Sequence, residues 1–223
     1  VVSFLFVFSL LIPLVMLCGV IWLVVWSQRR RRQAAMQRAA QVAAVGWYLV
    51  PPNPWLVQVA GTLFPSNGEV AAAYAGEFRG RGLCVFDYTY VTSNGKTQQT
   101  HTVQFVALNL PVALPSVTVM HETGLRRMFR GHDLELENVE FNERFRVECD
   151  DDRYGYAVMH PRMMECVMLN PGLEWLIAGN ALVSWGQGAF QVPDVLARAE
   201  AMTRLIELLP PFVLRDYGQP TYR

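Results

Sequence analysis

The stretch LCVFDYTYVTSNGKTQQTHTVQFVALNL, Leu83 to Leu110, decides the fold class. Its first half alternates: Cys84, Phe86, Tyr88 and Tyr90 point one way, and Leu83, Val85, Asp87 and Thr89 the other. A period of two in a run rich in aromatic and β-branched residues is the pattern of a strand. Ser93-Asn94-Gly95 follows, and Asn-Gly between two such runs predicts a hairpin. The return strand is polar at its start and apolar at its end.

Working outward, Pro111 and Pro115 bracket a short connection, and SVTVMHE (Ser116–Glu122) reads as a third strand. DLELE (Asp133–Glu137) and RFRVEC (Arg144–Cys149) alternate and read as further strands. DDDR (Asp150–Arg153) reads as a solvated turn, and YGYAVM (Tyr154–Met159) as the next strand. PRMMECVMLN (Pro161–Asn170) has Pro in its first turn and ends at Asn-Pro-Gly, which predicts a short helix. LEWLIAG and NALVSWG, Leu173–Gly186, read as two strands joined by a Gly-Asn turn. In PDVLARAEAMTRLIELLP, the residues Val195, Leu196, Ala199, Met202, Leu205, Ile206 and Leu209 form one helical stripe. Upstream, PSNG (Pro65–Gly68) is a turn, Glu69–Ala75 reads as a short helix, and the strands begin after Gly76. No βαβ alternation appears, which disfavours a parallel nucleotide-binding sheet. The expected fold class is α+β: a mainly antiparallel, barrel-like sheet with a long C-terminal helix, by analogy with pleckstrin-homology-like domains.

The N-terminus is of another kind. Val1 to Ser27 contain no charge, and Val2 to Trp26 exceed the roughly 20 apolar residues that span a bilayer core of about 30 Å. The run has no polar face, and its positive charge follows it, whereas a cleaved signal carries charge ahead of a shorter run. A transmembrane anchor is therefore expected over residues 1–28. Arg29, Arg30, Arg31 and Arg32 place its C-terminal end in the cytoplasm and its N-terminus outside. Trp22 and Trp26 stand where an interfacial aromatic belt belongs, and the arginines meet anionic headgroups of the phospholipid bilayer. Residues 29–54 read as a basic stalk and Pro-rich linker, which VPPNP (Val50–Pro54) terminates. A cytoplasmic domain fills residues 55–211, and 212–223 read as an irregular tail.

The chain has nineteen basic and nineteen acidic residues. With the four clustered arginines set aside, the remainder has a net charge of −4, which disfavours nucleic acid as a partner. Cys18, Cys84, Cys149 and Cys166 are scattered, without C-x-x-C spacing, and read as small buried hydrophobes. G-x-x-x-x-G-K-[ST], G-x-S-x-G and H-E-x-x-H are all absent; HETGL at His121 lacks the second histidine. His101, His132 and His160 have no neighbour at ligand spacing. The sequence thus predicts no enzyme, no cofactor and no metal. GLRRMFRG (Gly124–Gly131) mixes Arg126, Arg127 and Arg130 with Met128 and Phe129. It reads either as a plain basic loop or as a loop for membrane or partner contact.

The segments GEFRGRGLCVFDYTYV, GHDLELENVEFNERFRVECDDDRYGYAVMHPRMMECVM and LEWLIAGNALVSWG, in this order within Gly76–Trp185 and its neighbour Gly186, resemble a family of bacterial membrane-anchored domains of unknown function. That resemblance implies structural roles for Phe141, Asn142 and Phe145. The single-pass design also resembles accessory subunits of Mce-type lipid importers, of the lipid uptake coordinator B kind, and implies binding beside integral membrane subunits. The reading that follows is a non-catalytic accessory subunit docked on a larger inner-membrane complex. A lipid or small-ligand sensor and an enzyme with dispersed site residues stand as alternatives.

Overall fold

The computed structural model describes Trp22, Trp26, Arg29 and residues 36–122 and 134–220. The chain divides into two units, 1–45 and 46–223. In the first, Trp22, Trp26 and Arg29 are helical, and residues 36–44 form helix α1. Among the described residues no helix is long and apolar enough to cross a membrane, and the expected span lies almost wholly outside them.

The second unit is α+β and mainly antiparallel. Its strands are β1 (Tyr48–Val50), β2 (Glu69–Phe78), β3 (Arg81–Ser93), β4 (Gln98–His121), β5 (Phe145–Cys149) and β6 (Glu174–Gln187). They form one sheet in the order β1-β2-β3-β4-β5, with β6 also on β4. Among the described residues β1 pairs only with β2 and β6 only with β4, so no pairing closes the sheet into a barrel. The helices are α2 (Pro54–Leu63), α3 (Val139–Arg144), α4 (Asp152–Val158), α5 (Pro161–Leu169), α6 (Val192–Leu208) and α7 (Pro211–Asp216).

The β3–β4 hairpin has the expected alternation. Cys84, Phe86, Tyr88 and Tyr90 lie opposite Ala107, Phe105, Val103 and His101. Phe86 and Phe105 stack with centroids 4.9 Å apart, and Tyr90 stacks on His101 at 5.1 Å. The turn spans four residues, Asn94 to Thr97, and the Asn94 side chain closes it by accepting from the backbone N–H groups of Lys96 and Thr97. Residues on both faces of the hairpin base are buried, Val85 and Val106 as fully as Phe86 and Phe105. The reason is a helix on each side: α2 covers the face of Phe86 and Phe105, and α6 packs on β4 and β6 with Val195, Ala199, Met202 and Leu205 buried.

Several local expectations are corrected. Glu69–Ala75 is part of strand β2, because its backbone groups pair with β3. Ser116–His121 belongs to the same strand as the hairpin return; β4 runs 24 residues through Pro111 and Pro115. Leu173–Gly186 is likewise no hairpin: β6 is one strand of 14 residues. Leu134 to Glu137 form no strand. Asn142 holds that segment instead, accepting from Leu136 N–H at 3.2 Å and donating to Leu136 C=O at 2.7 Å. Asp151 does not make a hairpin turn but caps α4, accepting from the N–H groups of Arg153 and Tyr154. Tyr154–Val158 is therefore helical, with Tyr154 and Val158 buried one turn apart and Tyr156 turned outward. The tail contains α7, and Gln219 exchanges two backbone hydrogen bonds with Ala113. Phe141 and Phe145 are buried and stacked at 5.0 Å, in keeping with the structural roles implied for them.

A straight strand of 24 residues would reach about 80 Å, whereas a domain of this length has a radius of gyration of about 16 Å. β4 must bend, and it does so over Asn109–Val117, where its pairing with β6 shifts register twice. The two prolines sit in this irregular segment, where a missing N–H removes no regular ladder bond. β6 bends opposite, with Gly179 at φ +61°, a backbone conformation that glycine alone adopts without strain.

Candidate ligand site

The bend changes which side chains point at α2. In the first half of β4 these are Val103, Phe105 and Ala107; in the second half they are Ser116, Thr118 and Met120. The parity has switched. β6 switches as well, from Leu176 and Ala178 before Gly179 to Ala181, Val183 and Trp185 after it. Each strand thus absorbs an irregularity that turns one face concave, and a cavity of about 410 Å³ lies between that face and α2.

Helix α2 supplies the roof. Asn53 caps it, accepting from Leu56 N–H at 3.2 Å, and Pro54 occupies its first turn. Leu56, Val59 and Ala60 seat it on the sheet, while Trp55, Gln58, Val59, Thr62 and Leu63 border the cavity. VPPNP does not end the stalk, since α1 stops at Ala44 and Tyr48–Val50 already joins the sheet; it starts a helix, and the cap-plus-proline signal lay at Asn53-Pro54.

The walls are apolar, and the floor is not. Trp185 lines the wall, and its indole N–H donates to Glu174 Oε2 at 2.8 Å, which fixes the ring. The other oxygen of Glu174 accepts from His121 N–H at 3.0 Å. Behind β6, on the α6 side, Arg198 donates to Ser184 Oγ and to Trp185 C=O, and Ser184 donates to Glu174 C=O. A Cβ at position 186 would meet the Arg198 guanidinium at 2.6 Å, so Gly186 admits this brace. Burial pulls the Arg198 pKa down, against the opposing charges of Asp194 and Glu174. On the floor, Glu148 and the neighbouring Arg146 form an ion pair at 3.0 Å, with side chains only 19% and 11% exposed. Thr118 beside them is buried.

The residues singled out from the sequence lie elsewhere. Trp22 and Trp26 stack on a helix, centroids 6.1 Å apart, and are 64% and 43% exposed. Arg29 is helical, whereas Arg30, Arg31, Arg32, Arg126, Arg127, Met128, Phe129 and Arg130 lie outside the described residues. Among the described residues no three of His, Cys, Asp or Glu converge as a metal site. His101 hydrogen-bonds Thr92 Oγ1 at 2.8 Å, His160 bonds Leu208 C=O at 3.0 Å, and His121 bonds Pro171 C=O. Each is thereby occupied structurally. Burial raises the thiol of Cys84 to about 11 and also raises those of Cys149 and Cys166, which makes all three poor nucleophiles.

No family model matches the chain, and no curated protein matches it. Among solved structures, the crystal structure of the mycobacterial trehalose monomycolate transport factor A, TtfA, shares the fold with a TM-score of 0.52 at 15% sequence identity. The alignment covers 83% of this chain and 96% of that chain. At this identity the likeness is one of fold.

Proposed function

We propose that this chain is a non-catalytic accessory subunit of a lipid-transport complex in a bacterial inner membrane. An N-terminal helix anchors it, and its α+β domain works in the cytoplasm. The observation that carries the reading is the largely apolar cavity under α2, on a fold shared with a mycobacterial trehalose monomycolate transport factor. Pockets of a few hundred Å³ with apolar walls and a few placed polar groups are where small ligands bind. The partners are integral membrane subunits, and an Mce-type importer is the complex that the sequence resemblance suggests. Crosslinking in native membranes followed by mild extraction tests this. Stoichiometric capture of an integral membrane transport subunit is expected, and recovery of the monomer alone would sink the proposal.

The cavity equally suits a lipid sensor that acts without a docked transporter. Deleting the captured partner separates the two: an accessory subunit loses its membrane phenotype with the partner, and a sensor retains it.

A further inference from the structure

The geometry points to a neutral, hydroxyl-bearing amphiphile as the ligand of the cavity under α2, with a hydrocarbon chain along the apolar walls and its hydroxyls at Thr118 and Glu148. This inference rests on the reading of the domain as one that handles lipid. Three observations lead to it.

The first is capacity. A water molecule in the liquid takes up about 30 Å³, and a methylene group is of similar size. A cavity of about 410 Å³ therefore has room for a hydrocarbon chain. The second is the wall. Trp55 on α2 and Trp185 on β6 present ring surface to the space, and Leu63, Met120 and Leu176 complete it. Because Glu174 takes the indole N–H of Trp185, that ring offers the ligand its apolar surface and not a hydrogen bond.

The third is the floor, which selects the head. Glu148 reaches the cavity already paired with Arg146. An anionic head would have to displace a carboxylate from its guanidinium while facing that same carboxylate. Charge buried in this way is strongly disfavoured. A hydroxyl donates to a carboxylate or to Thr118 without adding charge, and such charge-assisted bonds are strong. Monoacylglycerols and mono-acylated sugars have this chemistry; free fatty acids do not.

The test uses the full chain in phosphatidylcholine nanodiscs with a monoacylglycerol that carries a diazirine in its acyl chain. Photoadducts mapped by mass spectrometry are expected on the peptides of α2 and β6 that contain Trp55 and Trp185. Unlabelled monoacylglycerol should displace the probe about tenfold more effectively than the fatty acid of equal chain length. Thr62→Trp, at the exposed rim, and Ala178→Trp, inside the cavity, should each abolish these adducts, with thermal melting used to confirm the fold. Adducts that survive in a folded variant, or equal displacement by the fatty acid, would overturn the inference. So would labelling confined to other segments. Absence of cavity labelling together with capture of a membrane transport subunit would refute this ligand and leave the accessory role standing.

Discussion

A carboxylate under an apolar roof needs a cation, and Arg146 stands 3.0 Å from Glu148. An ion pair this far from water contributes little net stability, yet breaking one side of it is strongly unfavourable. Arg146→Met should therefore lower stability in urea titration by roughly 2–4 kcal/mol, somewhat below the range for fully buried pairs. Arg146→Met combined with Glu148→Leu should recover most of that loss, and a double variant worse than the single one would show that the pair is not the origin. Cys84 provides a second check, through pH. Its thiol is raised from 9.0 to about 11 by burial, so both folded and unfolded chains hold the proton below pH 9. Between 9 and 11 only the unfolded chain ionises, so stability falls as pH rises through that window, by at most about 2–3 kcal/mol from this group. Cys84→Ala should make the alkaline decline in stability shallower without changing it at pH 7; an unchanged decline would remove Cys84 as a cause. Neither pair partner was readable as a site. RFRVEC does place Arg146 and Glu148 on one face of a strand, but alternation alone predicts water on that face, and nothing local says that a helix from ninety residues earlier covers it.

At the scale of elements, the same physics explains what the sequence did and did not disclose. The β3–β4 hairpin was legible because the alternation of Cys84 to Tyr90 and the Asn94-Gly95 turn agree with each other. The bends were not, since a strand that changes parity looks like two strands with a gap between them. Pro111, Pro115 and Gly179 are good strand enders by local rules, and only pairing along the whole of β4 and β6 overrides them. Tyr154 to Val158 shows the reverse error: alternating Tyr and Val suggested a strand, but the Asp151 cap decides for a helix. These elements also predict which changes hurt. Gly179→Val places a β-branched residue at φ +61° and should destabilise the domain by about 1–3 kcal/mol, read from the urea midpoint. Asn53→Ala removes the cap of α2 at a cost of about 1 kcal/mol. Because α2 roofs the cavity, hydrogen exchange in its first turn should quicken while β3 and β4 stay protected, and uniform quickening would contradict a local cap.

For the whole molecule, the accessory reading depends on which side of the membrane holds the domain. Lys and Arg next to a span are retained in the cytoplasm, and Arg29 to Arg32 form the densest basic cluster in the chain. The remainder is net acidic and contributes little to orientation, so the four arginines should dominate it. A green fluorescent protein fused after Arg223 should therefore fluoresce, and an alkaline phosphatase fused at the same point should be inactive. Replacing Arg29 to Arg32 with Gln and adding three lysines ahead of Val1 should reverse the two signals in a large share of molecules, because it moves the retained charge to the other end of the span. Active phosphatase on the unaltered chain would place the domain outside. The cavity would then be open to extracytoplasmic lipid, and a cytoplasmic accessory role would no longer be tenable.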